Sequence, residues 1–331
     1  RTTERILLKV ASFEATTFEE LFQNTKSIPW EEFIPRDGRF WVKKANSVKS
    51  KLFSTSDIQS IMKKAMVERL KEKYRVSWFP EDGEDYPLRV TIIKDKVTIG
   101  LDTTGESLHK RGYRKWTVKA PVTETLAASL IMLTPWKYDR YLIDPFCGSG
   151  TIPIEAAMIG ANIAPGMNRH FISEKWTSFN PGFQYKRAVE EAKDVIIRDN
   201  PCLIQGFDID GECIKMAMAN AELAGVDDCI HFQKRAVKDL SSKRQYGFVI
   251  TNPPYGERLE DKEGVKKLYT EIGQVFKELP TWSKYIITAF DDAEKYIGKK
   301  ADKNRKLYNG MMKTYFLSYM GPKPPRVPGE K

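Results

Sequence analysis

Residues 251–259, "TNPPYGERL", set an amide, two prolines and an aromatic ring directly after the apolar run "YGFVI", which reads as a buried strand. The Asn252 side-chain carbonyl and the Pro253 main-chain carbonyl can accept both hydrogens of one exocyclic amino group, while the prolines fix the backbone and donate nothing. An amine held in this way has its lone pair steered out of conjugation and toward an electrophile. Tyr255 can stack on the base that carries the amine, and such a base must leave any duplex to fit. No cysteine lies within or beside the loop, so no covalent nucleophile is offered. Rate would come from alignment of amine and donor, with carbonyl dipoles stabilising charge that develops on nitrogen. The bland alternative, an Asn-Pro-Pro turn, is weakened by the two motifs that precede it in order.

The first of these is "DPFCGSGT" (144–151), which follows a strand and opens a helix. Asp144 falls at the carboxyl end of the strand, Gly148 and Gly150 let the backbone pass close to a ligand, and Pro153 fits a first helical turn. A glycine-rich loop alone is compatible with a nucleotide, a dinucleotide or a tight turn, and the absence of G-x-x-x-x-G-K-[ST] argues against a P-loop. The second is "GFDIDGECIKMAMANAELAG" (206–225). Asp208 ends a strand where a carboxylate can accept from both hydroxyls of a ribose, and Ile209 offers an apolar face to an adenine. Asp210 reads as the cap of the helix that closes at Gly225.

The elements that must position these residues follow from periodicity. From residue 121 strands and helices alternate: a helix over 123–133, strand 141–144, helix 151–160, an insertion over 162–200 that ends in a helix, strand 203–208, helix 211–224, then strands 229–233, 248–250 and 285–290 with a helix over 263–278. Such alternation predicts a doubly wound, mainly parallel α/β sheet. Asn309-Gly310 predicts an antiparallel hairpin at its end, and the Pro-rich 321–331 reads as a disordered tail. Residues 1–105 form a smaller α+β domain. Thr17 and Glu20 make a capping box for a helix over 18–26, Ser56 or Asp57 can cap a helix to about 71, and 88–102 is a hairpin turning at Lys94-Asp95. Residues 106–120 read as a linker.

The 331 residues carry 54 Lys plus Arg against 44 Asp plus Glu, a net charge of +10, which suits a polyanionic partner. In the first domain Arg36, Lys43, Lys44, Lys49, Lys51, Lys63 and Arg69 are interleaved with Phe40, Trp41 and Phe53. Cations among aromatics suit phosphates and unstacked bases, whereas the bland reading makes Trp41 and Phe53 core residues. Cys147, Cys202, Cys213 and Cys229 make no zinc pattern with His109, His170 and His231, so no metal is expected. No run approaches a membrane span and no leader is apparent, which points to the cytoplasm. Arg1 in first place implies a removed N-terminus or a longer chain.

The order "DPFCGSGT", "GFDID", "TNPPYGERL" resembles the S-adenosylmethionine-dependent amino-methyltransferases. With "LHKRGYR" and "APVTETLAASL" ahead of it, the whole chain is similar to the bacterial THUMP-domain ribosomal RNA guanine-N2 methyltransferases. The resemblance implies a THUMP-like RNA-binding domain over 1–105, a methyltransferase domain over 121–320, S-adenosylmethionine as donor and large-subunit ribosomal RNA as substrate. It implies that Asp144, Gly148 and Gly150 line the methionine and ribose part of the cofactor, with Phe146 of the same loop in the cofactor set. Asp208 would hold the ribose hydroxyls, Ile209 would pack on adenine, and Pro121 and Thr125 would lie beside the methionine end. Asn252, Pro253 and Tyr255 would hold the guanine. Two departures stand out: Ala236 occupies the place of the acid that binds the adenine amino group, with Asp239 or a backbone group as substitute, and the segment ahead of the THUMP core is missing, which implies weaker RNA affinity. The second methyltransferase module fused in some relatives is also absent. The rival readings are a DNA adenine methyltransferase, a non-catalytic RNA-binding protein on a vestigial fold, and a dehydrogenase, which leaves "NPPY" unexplained.

Overall fold

The computed structural model describes residues 1–117, 122–177, 181–197, 199, 203–256 and 262–325. The chain divides into two units, one made of residues 3–108 and 170–190, the other of 1–2, 109–169 and 191–331.

The first unit runs β1 (Leu7–Glu14), α1 (Phe18–Ser27), β2 (Arg39–Val48), α2 (Thr55–Tyr74), β3 (Asp85–Ile93) and β4 (Lys96–Asp102). Its sheet has the order β1-β4-β3-β2, with β2 and β3 parallel. The capping box forms as its spacing predicts: the Thr17 hydroxyl accepts from the Glu20 N–H, and the Glu20 carboxylate accepts from the Thr17 N–H. Helix α2 begins earlier than Ser56 or Asp57 would allow, because Ser54 has the extended backbone a cap needs and its hydroxyl accepts from the Asp57 N–H. Ile58, Met62, Ala65, Met66 and Leu70 then fall on one buried face of α2. The hairpin turns at Lys94 and Asp95, which take positive φ angles of 51° and 65°, the hand that matches twisted strands.

Phe53 is not a core residue; it is 82% exposed, while Phe40 is buried and Trp41 half-buried. The insertion expected inside the second domain is shared between the units, since residues 170–190 belong to the first. Trp176 explains this. Its ring stacks on Tyr86 with centroids 5.1 Å apart, and its indole N–H donates to the Asp85 carbonyl at 2.9 Å, so the segment buries this side chain in the unit's core.

The second unit runs α3 (Glu124–Met132), β5 (Leu142–Asp144), α4 (Thr151–Gly160), α5 (Pro181–Asp194, its first ten residues counted with the other unit), β6 (Ile204–Asp208), α6 (Gly211–Ala224), β7 (Ile230–Lys234), β8 (Phe248–Thr251), α7 (Lys262–Glu278), β9 (Ser283–Thr288), α8 (Ala293–Ile297), β10 (Lys303–Asn309) and β11 (Met312–Tyr319). The seven-stranded order is β10-β11-β9-β8-β5-β6-β7, parallel except for β10 and β11. The central strands β5 and β8 are buried along their whole length because both faces are covered. Leu142, Phe248, Ile250 and Ile287 point into one core with α3, α4 and α6, while Ile143, Val249 and Ile286 point into another with α7 and α8. The order reverses between β8, β5 and β6. A crevice opens there at the carboxyl ends of the strands, which is where open α/β sheets bind ligands.

Trp176→Ala should destabilise the first unit by about 3–5 kcal/mol, read as a fall in its urea midpoint. Trp176→Phe keeps a stacked ring but strands the Asp85 carbonyl, and about 1–3 kcal/mol is expected.

Candidate active site

The glycine-rich turn between β5 and α4 is built by hydrogen bonds to its neighbours. The Cys147 N–H donates to the Phe207 carbonyl of β6 at 2.9 Å, and the Gly150 N–H returns to the Cys147 carbonyl at 2.8 Å. Gly148 takes a φ of 52° and lines the crevice, and its N–H donates to Asp208 Oδ2 at 3.0 Å. The Asp210 N–H donates to Asp208 Oδ1 at 3.0 Å, so both carboxylate oxygens are oriented by main-chain donors while the side chain still faces the crevice. Asp210 itself caps α6, accepting from the Glu212 N–H at 2.9 Å.

Asp144 is 1% exposed. Its Oδ1 accepts from the Thr251 hydroxyl at 2.5 Å and from the Phe146 N–H at 3.1 Å. Burial nevertheless dominates, pushing the Asp144 carboxyl up to about 7 against those two hydrogen bonds, with the Asp208 charge adding to the rise.

These groups border a single cavity of about 1010 Å³. Asp144, Phe146, Gly148, Asp208 and Ile209 line it from one side, and Asn252, Pro253 and Tyr255 from the other. Ile209 is 70% exposed, an apolar side chain with nothing of the protein packed over it. Among the described residues the buried Asn252 Oδ1 has no hydrogen-bond partner. A buried carbonyl without a donor carries a desolvation cost of about 1–3 kcal/mol, which a bound N–H would remove.

Two of the residues expected at the site stand elsewhere. Gly150 does not line the cavity; it takes a φ of 88° as the cap of α4, and a Cβ there would lie 3.0 Å from the Ala217 Cβ, so this glycine serves backbone hand and helix packing. Thr125 is buried in α3 and does not line the cavity, a place taken by Val122. Pro121 lies outside the described residues. At the missing acid, Ala236 borders the cavity together with Val237 and Lys238, whereas Asp239 is exposed and does not. A short helical turn runs over Val237–Asp239, and Asp239 at its end is not among the residues that line the cavity.

Several lining residues have no motif of their own. Arg235 and Lys238 follow β7, and Val265, Leu268 and Glu271 come from α7 at helical spacing. Two cysteines also reach the cavity, Cys147 and Cys213. Burial pushes the Cys147 thiol well above its ordinary range, and burial with the fields of Asp208 and Asp210 pushes Cys213 to about 11. Both are thiols at neutral pH, unsuited to nucleophilic attack.

A second layer holds the loop. Arg114 donates to the Thr151 hydroxyl at 2.9 Å and to the Val122 carbonyl at 2.8 Å, and pairs with Glu124 at 3.1 Å. The Asn220 amide, fully buried on α6, donates to the Ser149 and Trp116 carbonyls, each at 3.0 Å. Arg111 meets the buried Glu155 of α4 at 3.4 Å, and the Tyr113 hydroxyl donates to the same carboxylate at 3.2 Å. Arg111, Tyr113 and Arg114 of the basic stretch "KRGYR" thus serve to fix α4, with Arg114 also tied to α3. Arginines at i and i+3 in a loop give no such signal until the buried acids Glu124 and Glu155 are known to face them.

A doubly wound sheet with an acid after its second strand, an acid and glycine turn after its first, and Asn-Pro-Pro-Tyr after its fourth defines an S-adenosylmethionine-dependent methyltransferase. Residues 111–317 match the model of the family described as "RMKL-like, methyltransferase domain", and residues 15–102 match the THUMP domain. The chain belongs to that RMKL-like methyltransferase family. It is 47% identical to the Bacillus subtilis (strain 168) protein named "Putative RNA methyltransferase YpsC", over 96% of this chain and 83% of that one. Among solved structures, "SMU.472, a putative methyltransferase complexed with SAH" is 42% identical with a TM-score of 0.87, covering 97% of this chain and 85% of that one. The structure named "predicted N6-adenine-specific DNA methylase from Listeria monocytogenes str. 4b F2365" is 49% identical with a TM-score of 0.91, covering 97% and 83%. The chain spans about half the length of the relatives named ribosomal RNA large subunit methyltransferase K/L, 46% of the one from Syntrophotalea carbinolica, to which it is 34% identical.

The Asp144 geometry gives a pH dependence in the protein without ligand. Its folded-state value lies above the unfolded one, so between about pH 4 and pH 7 the folded chain keeps a proton that the unfolded chain has lost, and stability falls as pH rises through that window. The upper bound is about 4 kcal/mol. Asp144→Asn should therefore lose less melting temperature than the native protein between pH 5 and pH 8 in calorimetric scans. Gly150→Ala should cost about 1–3 kcal/mol by strain at its positive φ and contact with Ala217, seen as a lower urea midpoint.

Proposed function

We propose that the protein methylates an exocyclic amine of RNA, with guanine N2 of large-subunit ribosomal RNA as the target, and that Asn252, Pro253 and Tyr255 hold the base. The unpartnered Asn252 Oδ1 carries this reading: an acceptor without a donor, fixed ahead of two prolines on a residue that lines the same cavity as Asp144 and Asp208, is what an amino group needs. The Pro253 carbonyl supplies the second acceptor, so both N–H bonds are directed and the amine lone pair is left as the nucleophile. Tyr255 offers its ring to the base.

The donor end is served by residues already oriented. Asp208 keeps oxygen lone pairs for ribose hydroxyls while the N–H groups of Gly148 and Asp210 hold its plane. Ile209 gives an adenine ring an apolar face, and main-chain groups beside Ala236 are left to meet the adenine amine. Asp144, half ionised near neutral pH, gains charge when a cation lies beside it. S-adenosylmethionine, when bound, supplies a methyl group on a sulfonium, a cation with a good neutral leaving group. Charge then leaves the donor and develops on the amine, where the Asn252 and Pro253 dipoles stabilise it. The proton lost afterwards can pass to water, since no basic side chain needs to accept it.

RNA as substrate is supported by the THUMP match, by the name of the B. subtilis relative and by the names of the K/L relatives. The first unit adds a basic surface: Arg36, Lys43, Lys44, Lys49, Lys51 and Lys71 are exposed, with Phe53 exposed beside them in sequence. Lys63 and Arg69 are spent internally on Glu81 and Glu31 and do not count toward that surface. The Listeria structure's name favours a second reading, adenine N6 in DNA, because two carbonyl acceptors serve either amine.

Asn252→Ala should lower turnover at least about 100-fold, the scale of losing one preorganised polar group, while calorimetric affinity for S-adenosylmethionine changes less than about twofold. Equal loss of both would remove Asn252 from the base-holding role. Transfer of tritiated methyl to hypomethylated ribosomal RNA and to DNA in parallel, followed by nucleoside chromatography, decides the amine: N2-methylguanosine supports the reading, and N6-methyldeoxyadenosine replaces it.

A further inference from the structure

Strands β10 and β11 leave the sheet at the edge that carries the active site. Register fixes how far. Thr251, the residue before Asn252, pairs with Ile286 of β9, and two residues on, Thr288 pairs with Tyr315, which pairs with Lys306. Three more pairs follow on the hairpin, ending at Asn309–Met312. The hairpin therefore runs about 10 Å past the level of the Asn252 loop, and β10 is displaced sideways from β8 by three strand spacings, about 14 Å.

The side chains on this extension alternate by charge and ring. Cross-strand pairing puts Lys306 with Tyr315 and Tyr308 with Lys313 on one face. Lys306 Nζ stands 5.5 Å from the Tyr308 ring and Lys313 Nζ 4.8 Å from the Tyr315 ring. Lys306 and Lys313 are exposed, Tyr308 is 57% exposed, and Met311 at the tip is 98% exposed. Arg305 and Lys303 are exposed on the opposite face. Asp291 is the carboxylate whose field reaches Lys313. Lysines alone protect an exposed edge strand from pairing with another chain. That purpose does not call for tyrosines set between them, or for a bare methionine at the tip.

We propose that the β10–β11 hairpin is an RNA-contacting finger: Lys306 and Lys313 take phosphates, and Tyr308 stacks on an unpaired base next to the nucleotide held at Asn252. Cations interleaved with exposed rings are the chemistry that fits single-stranded nucleic acid, and a base lifted from its helix leaves unstacked neighbours within this reach. The assignment rests on the reading of RNA as substrate given above.

The test uses the full chain and a fluorescein-labelled, mixed-sequence single-stranded RNA of 20 nucleotides, titrated by anisotropy at several salt concentrations. K306Q/K313Q should weaken binding about 5–20-fold and lower the salt slope by about 1.4, as expected for two lost phosphate contacts to a single strand. Y308A should weaken binding about 5–20-fold with the slope unchanged. The comparison variant K137Q/K243Q removes the same charge from exposed loops that precede β5 and β8, at the far edge of the sheet. S-adenosylmethionine affinity and melting temperature should hold in all of them. Native-like RNA binding by K306Q/K313Q and Y308A, or an equal loss in K137Q/K243Q, overturns the finger and leaves RNA as substrate intact. Failure of the native protein to bind the RNA or methylate ribosomal RNA overturns both.

Discussion

The site turns on one hydrogen bond across the opening of the sheet, from the Thr251 hydroxyl to the Asp144 carboxylate. Strands β5 and β8 pair only through Leu142–Phe248 and Ile143–Val249, and beyond those residues the chains part to go to opposite faces. The Thr251 bond ties the two ends together at the moment they diverge. It thereby sets the glycine turn, which orients Asp208, at a fixed distance from the loop that carries Asn252. Desolvation of Asp144 is the cost of this arrangement, and it is why the carboxyl sits near neutrality in its pKa instead of near the carboxylate range.

That buried acid is supported from below by others. Glu155 and Glu124, each raised by burial, hold Arg111 and Arg114, and Arg114 in turn reaches the first residue of α4. Asn220 ties α6 to the same turn through the Ser149 carbonyl. Rigidity of the donor side is thus made of charge pairs whose removal one partner at a time would leave an uncompensated ion. The acceptor side is rigid for a different reason: prolines restrict the backbone, and no side-chain network is required.

Much of this was legible in the chain. Runs such as "FVI" and "YIIT" are apolar on both faces, which signals a covered parallel strand, and the three loops that close the crevice each carry a residue pattern tied to a strand end. Asp210 as cap and Gly225 as terminator follow from backbone preferences that act locally, and so does the end hairpin, although its turn falls on Gly310 and Met311 because Asn309 still pairs with Met312. What stayed hidden depends on contacts far apart in sequence. Gly150 looks like a ligand-facing glycine until Ala217 is seen against it, and Trp176 looks like part of an insertion until Tyr86 is seen under it. The lining residues of α7 have only helical periodicity, which cannot separate a core face from a cavity wall.

On the proposed reading, affinity and chemistry are divided between different parts of the surface for an electrostatic reason. Phosphate contacts made by exposed lysines are additive, screened by salt and blind to the base, so they can gather a polyanion but cannot choose an amine. Choice requires a group that is poor in water and satisfied only by the right donor. In the proposed role the Asn252 carbonyl would meet that requirement, since it has no partner of its own: a base lacking an amino group at that point would leave it unpaired, whereas guanine, adenine or cytosine would not. On that reading, discrimination among those bases would fall to the rest of the wall, where Glu271, Leu268 and Val265 stand.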